Sequence, residues 1–60
     1  MIPNDANILF SFINTKLRDE YSTLDEFCAA NMCSIDEICD KLDKIGYYYD
    51  DKLNKFVFIK

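Results

Sequence analysis

Histidine is absent from this 60-residue chain, and glycine and proline occur once each. Each scarcity excludes some chemistry. Without histidine, the commonest general acid–base and the commonest metal-binding side chain are gone. Gly46 alone cannot build a phosphate-cradling loop. The cysteines are Cys28, Cys33 and Cys39, with no Cys-x-x-Cys pair, so the usual zinc spacings fail. Their odd number closes no disulfide framework. The simplest reading is three small buried hydrophobes in a reducing compartment. Cys33 stands just before a helix N-terminus, which can activate a thiol, but Asp36 and Glu37 oppose a thiolate there. The expectation is a non-enzyme with no catalytic residue, no metal and no cofactor.

Long hydrophobic runs are missing as well. Ile8–Ile13 is apolar except for Ser11, too short to span a bilayer. Asp5 precedes it rather than a basic stretch, unlike a secretory signal. Met1 reads as a native start, and the expected location is cytoplasmic. No repeat, linker or low-complexity segment interrupts the chain, so residues 1–60 read as a single small domain.

What is present is a dense apolar content. Half the residues are hydrophobic and 15% are aromatic, which argues for a packed domain over disorder. A chain of this size buries only ~60% of its unfolded surface, so the core is marginal.

The expected fold is mainly α with a C-terminal β-hairpin. The first helix is placed at about residues 5–21, after Pro3 and an Asn4 or Asp5 N-cap. Thr23-Leu24-Asp25-Glu26 is a capping box that opens a second helix over 24–31. Asn31, a residue that tolerates the left-handed conformation, is its expected end. Ser34-Ile35-Asp36-Glu37 is a second capping box, opening a helix over 35–45. Ile35, Ile38, Leu42 and Ile45 form its apolar stripe, Cys39 borders it, and Gly46 stops it. Tyr47–Asp50 and Lys55–Ile59 are β-rich runs separated by turn-type residues, a hairpin over 47–50 and 55–59.

Two short helices joined by a tight break and followed by a hairpin resemble a winged helix-turn-helix domain over Ser22–Ile59. Cys28 six residues before Ser34 and apolar Cys33 directly before it fit such a unit, as do Ile38 and Leu42 after it. Met32 departs from it, since these turns commonly carry glycine. A second resemblance rests on Ile2-Pro3-Asn4-Asp5-Ala6-Asn7-Ile8-Leu9 and the residues that follow to Asp19, with Ile45-Gly46-Tyr47 and Tyr49-Asp50 downstream. These are similar to a family of short bacterial proteins known only as a domain of unknown function. The resemblance implies a bacterial source and supplies no activity.

Charge decides against the usual role of a helix-turn-helix. Between Ser22 and Ile45 there are six acids and two bases, a charge of −4, equal to that of the whole chain. Phosphate binding needs the opposite sign. The turn that normally meets base edges carries Asp36 and Glu37. A nucleic-acid binder is kept as the alternative, with Arg18, Lys52, Lys55 and Lys60 as its contacts; the simpler reading of the hairpin lysines is a guarded sheet edge.

The leading expectation is a protein-interaction module that binds itself, as a homodimer, or another protein, without nucleic acid or membrane. It follows from surplus hydrophobicity. On a helical wheel the apolar arc of the first helix spans about 220°, twice what one core needs. The last strand is apolar on both faces. Phe10, Ile13, Leu17 and Tyr21, together with Val57 and Ile59, form the candidate interaction surface. The competing reading has the hairpin and N-terminal arm covering both sides of the first helix within one chain. Asn7, Ser11, Asn14 and Arg18 make a polar stripe on that helix. They could grip a peptide backbone, a carboxylate or a phosphate. Alternatively, Asn14 or Arg18 ties down the hairpin or the second helix.

Overall fold

A computed structural model describes residues 2–59. The element order is α1 (Ala6–Asp19), α2 (Leu24–Asn31), α3 (Ile35–Asp43), β1 (Tyr47–Asp50) and β2 (Lys55–Phe58). This is the expected plan, with α1, α3 and β2 each slightly shorter than the sequence suggested. Asp5 caps α1, its carboxylate accepting from the Asn7 and Ile8 amides at 2.9 and 3.1 Å. Thr23 caps α2 through the Glu26 amide, and Glu26 reaches back to the Ser22 amide at 2.8 Å. In the second box, among the described residues, only the hydroxyl half forms, with the Glu37 amide 3.4 Å from Ser34 Oγ.

The core is built around α1. Leu9, Ile13 and Leu17, one residue per turn, are buried among Leu24, Phe27 and Cys28 of α2, Ile38 and Leu42 of α3, and Phe56 of β2. α2 and α3 lie against α1, β2 lies along it, and β1 lies beside α3. The wide apolar arc of α1 is therefore covered within one chain. Phe10 stacks on Tyr47 with ring centres 4.0 Å apart, and Phe12 and Tyr21 meet Phe27 edge-on. Only Ile8 of that arc stays largely exposed, at 59%.

Two expectations about helix ends need correction. Asn31 is not the left-handed residue. It is the last residue of α2, as expected, with its side-chain Nδ2 donating to the Phe27 carbonyl, and Met32 takes φ 54°, ψ 44° instead. Met32 is 93% exposed, so its side chain gains nothing from the core that would offset the strained backbone. A left-handed non-glycine residue costs roughly 1–2 kcal/mol. Glycine there forfeits about 0.5–1 kcal/mol of chain entropy. Met32→Gly is therefore expected to stabilise the domain by on the order of 0.5–1 kcal/mol, read as a higher urea midpoint. A lower midpoint would contradict the strain. The second correction concerns α3, which ends at Asp43, so Ile45 lies in a tight turn and Ile35 is partly exposed. Gly46, at φ 89°, completes that turn, and a β-carbon there would stand 2.8 Å from the Phe58 ring.

The hairpin pairs Tyr47 with Phe58, Tyr48 with Val57, Tyr49 with Phe56 and Asp50 with Lys55. Asp50 organises its loop by accepting from the Lys52 and Leu53 amides. Asn54 turns the chain back with φ 53°.

Candidate interaction surface

The polar stripe of α1 divides into residues used by the fold and residues left to solvent. Asn14 is spent entirely on the hairpin. Its Nδ2 donates to the Phe56 carbonyl at 3.0 Å, and its Oδ1 accepts from the Phe56 amide at 2.8 Å. The side-chain amide thus completes the outer edge of β2 as a neighbouring strand would. Arg18 is exposed and forks onto Asp19 at 2.8 and 3.0 Å. The guanidinium holds the Asp19 carboxyl below the usual carboxylate range, chiefly through that hydrogen bond. Ser11, Asn14 and Arg18 line one groove with Lys55, while Asn7 stands apart on the first turn. Ser11 and Asn7 are exposed.

Sequence reasoning missed a second amide. Asn54 Nδ2 donates to the Leu17 and Tyr21 carbonyls, satisfying the C-terminal end of α1. Its Oδ1 accepts from the Tyr49 hydroxyl at 2.6 Å, and that hydroxyl accepts from the Leu24 amide opening α2. A turn-type asparagine was visible in the sequence; the helix end it serves lies 37 residues away along the chain.

The candidate apolar surface divides as sharply. Ile13 and Leu17 are core residues and are not at the surface at all. Phe10 and Tyr21 are half-buried under Tyr47 and beside Phe27. Those four were expected to be available because a wheel shows how wide an arc is, not what covers it. Val57 and Ile59 fare differently. Side chains alternate along a strand, so Phe56 faces α1 while Val57 and Ile59 point the other way. Val57 is half-buried beside its partner Tyr48; Ile59 and Tyr48 are 52% and 48% exposed. This outer face carries Asp50 and Lys55 at its loop end.

Of the cations named for the nucleic-acid alternative, only Arg18 and Lys55 share a groove. Arg18 is paired with Asp19, Lys52 sits on the loop and Lys55 on the outer face; Lys60 lies outside the described residues. The first turn of α3 is acidic, with Asp36 and Glu37 exposed.

Two of the thiols are held in their protonated form by their surroundings. Burial first, then its neighbour Cys33, pushes the Cys28 thiol up to about 12. Burial and the nearby Asp36 raise Cys39 also. Among the described residues no group of three His, Cys, Asp or Glu side chains is placed to hold a metal ion, and no helix is long and apolar enough to cross a membrane.

Fold and surface together define a small three-helix domain closed by a two-stranded hairpin. A family described as a domain of unknown function (DUF4250) matches residues 3–56, and the chain belongs to it. No curated protein and no solved structure matches the chain. The likeness to winged helix-turn-helix domains accordingly rests on the order of elements alone.

Proposed function

We propose that the domain is a protein-interaction module that self-associates through the outer face of its hairpin. The observation that carries the reading is the two-stranded sheet itself: α1 backs one face, and Tyr48, Val57 and Ile59 line the other with no element over them among the described residues. A second copy suits this face better than a charged partner does. The chain is strongly acidic, yet the face carries one acid, Asp50, and one base, Lys55, directly opposite each other. Two copies related by a two-fold axis meet there without net repulsion. The reading assigns no catalysis to the chain. It keeps the bacterial source that the family resemblance implies and a cytoplasmic location as expectations.

Sedimentation equilibrium at micromolar concentration tests it. The expected result is a species of twice the 7.1 kDa chain mass, dissociating on dilution. Ile59→Lys is expected to sediment as a monomer while its unfolding free energy, compared at a dilution where the parent is monomeric too, stays within about 0.5 kcal/mol of the parent, because the side chain is exposed. A wild-type monomer throughout the concentration range overturns the reading. Binding to duplex DNA that falls steeply with salt would favour the nucleic-acid alternative instead.

A further inference from the structure

The hairpin has a free edge as well as a free face, and the edge opens into an acidic groove. Two hydrogen-bonding directions fix which edge this is. Phe56 gives both its backbone groups to Asn14, so they point away from β1. The Ile59 amide, three residues on, donates inward to the Gly46 carbonyl at 2.7 Å. Antiparallel pairs alternate between those that exchange backbone bonds and those that do not. Tyr49 and Tyr47, opposite Phe56 and Phe58, therefore turn their amides and carbonyls away from β2. Among the described residues no backbone group bonds them.

A groove of about 720 Å³ lies there, between β1 and α3. Tyr47, Tyr48 and Tyr49 all line it. Three consecutive strand residues border one cavity only when the strand presents its edge, since its side chains alternate between faces. The opposite wall is Asp36, Asp40 and Asp43 of α3, with Glu37 beside them and no cation in the lining. Asp40 holds Lys44 at 3.7 Å in an exposed pair, which leaves the wall strongly negative.

We infer that this groove takes an extended basic segment of a partner protein, which adds to β1 as a third strand. Main-chain bonds to Tyr47 and Tyr49 supply the pairing, as in other strand-addition sites. Lys or Arg at alternate positions face the α3 carboxylates. Alternate side chains of a strand recur every ~6.6 Å, close to the ~6 Å rise between Asp36 and Asp40 along the helix. A second copy fits poorly, because pairing β1 with β1 would bring two acidic α3 walls together. Tyr48 borders both surfaces, but the strand-pairing groups of Tyr47 and Tyr49 and the α3 carboxylates take no part in the outer face proposed for self-association, so either proposal can fail alone.

Three labelled peptides test it on the intact domain: alternating lysine and valine, the same charge with N-methylated alternate amides, and alternating glutamate and valine. The expected result is that the first binds at least about tenfold tighter than the second and the third does not bind, with the Tyr47 and Tyr49 amides gaining hydrogen-exchange protection in the complex of the first. Asp36→Asn with Asp40→Asn should weaken it further, both side chains being exposed. Equal binding of the N-methylated peptide would reduce the groove to a nonspecific charge and overturn the proposal. So would protection elsewhere than β1, or no binding at low salt.

Discussion

Phe27→Ala is expected to remove most or all of the stability of the domain at room temperature. Phe27 is fully buried at the junction of α1 and α2, with the Phe12 and Tyr21 rings packed edge-on against it. Truncating a buried phenylalanine costs about 3–5 kcal/mol. A core of this size supplies only about 3–5 kcal/mol in total, and its three cysteines are free rather than bridged. The variant should lose helical circular dichroism and show little or no folded baseline in urea. Phe27→Leu retains most of the volume and should fold with a lowered midpoint. A Phe27→Ala protein that unfolds within a few tenths of a kcal/mol of the parent would mean that α2 is not the lid of this core.

The second large effect is expected at Asn14, and it separates a structural amide from a binding one. Asn14→Leu removes two hydrogen bonds and leaves the Phe56 amide and carbonyl without partners. Each unpaired buried group costs about 1–3 kcal/mol, less where water enters. A total loss of about 2–4 kcal/mol follows on that scale, enough to loosen the hairpin. Asn14→Asp adds a pH signature. The introduced carboxyl can accept from the Phe56 amide, but it donates to the Phe56 carbonyl only when protonated. Its neutral form is favoured in the folded protein, so its folded pKa is raised. The resulting stabilisation is present below the unfolded value of about 3.9 and is lost as pH rises through the folded value. Unfolding midpoints of Asn14→Asp relative to the parent should therefore improve towards acid pH. Equal deficits at every pH would remove the donor role.

Much of this molecule was legible before its structure. The caps at Asp5, Thr23 and Ser34, the α3 stripe and Gly46 are local signals, and each acts on residues within one turn of itself. The left-handed turn at Met32 was not legible, since methionine carries no preference for it; the chain adopts it because α2 and α3 must both reach α1. The surface was half legible. Alternation along β2 separates Val57 from the buried Phe56, as the expected pattern has it. For α1 the wheel showed an excess, and only the packing reveals that hairpin and helices absorb it. The polar stripe shows the same boundary: that Asn14 completes a sheet edge 42 residues further on depends on tertiary pairing no local pattern contains.

One edge of the hairpin is bound by Asn14, and the other, that of β1, has no backbone partner among the described residues. Native-state hydrogen exchange of the free domain reads both edges together. The Phe56 amide, although it points away from β1, should exchange only as fast as the whole domain unfolds, because Asn14 holds it. The Tyr47 and Tyr49 amides, in the same sheet, should exchange orders of magnitude faster. Comparable protection at Phe56 and Tyr49, whether high or low, would contradict this division of the hairpin.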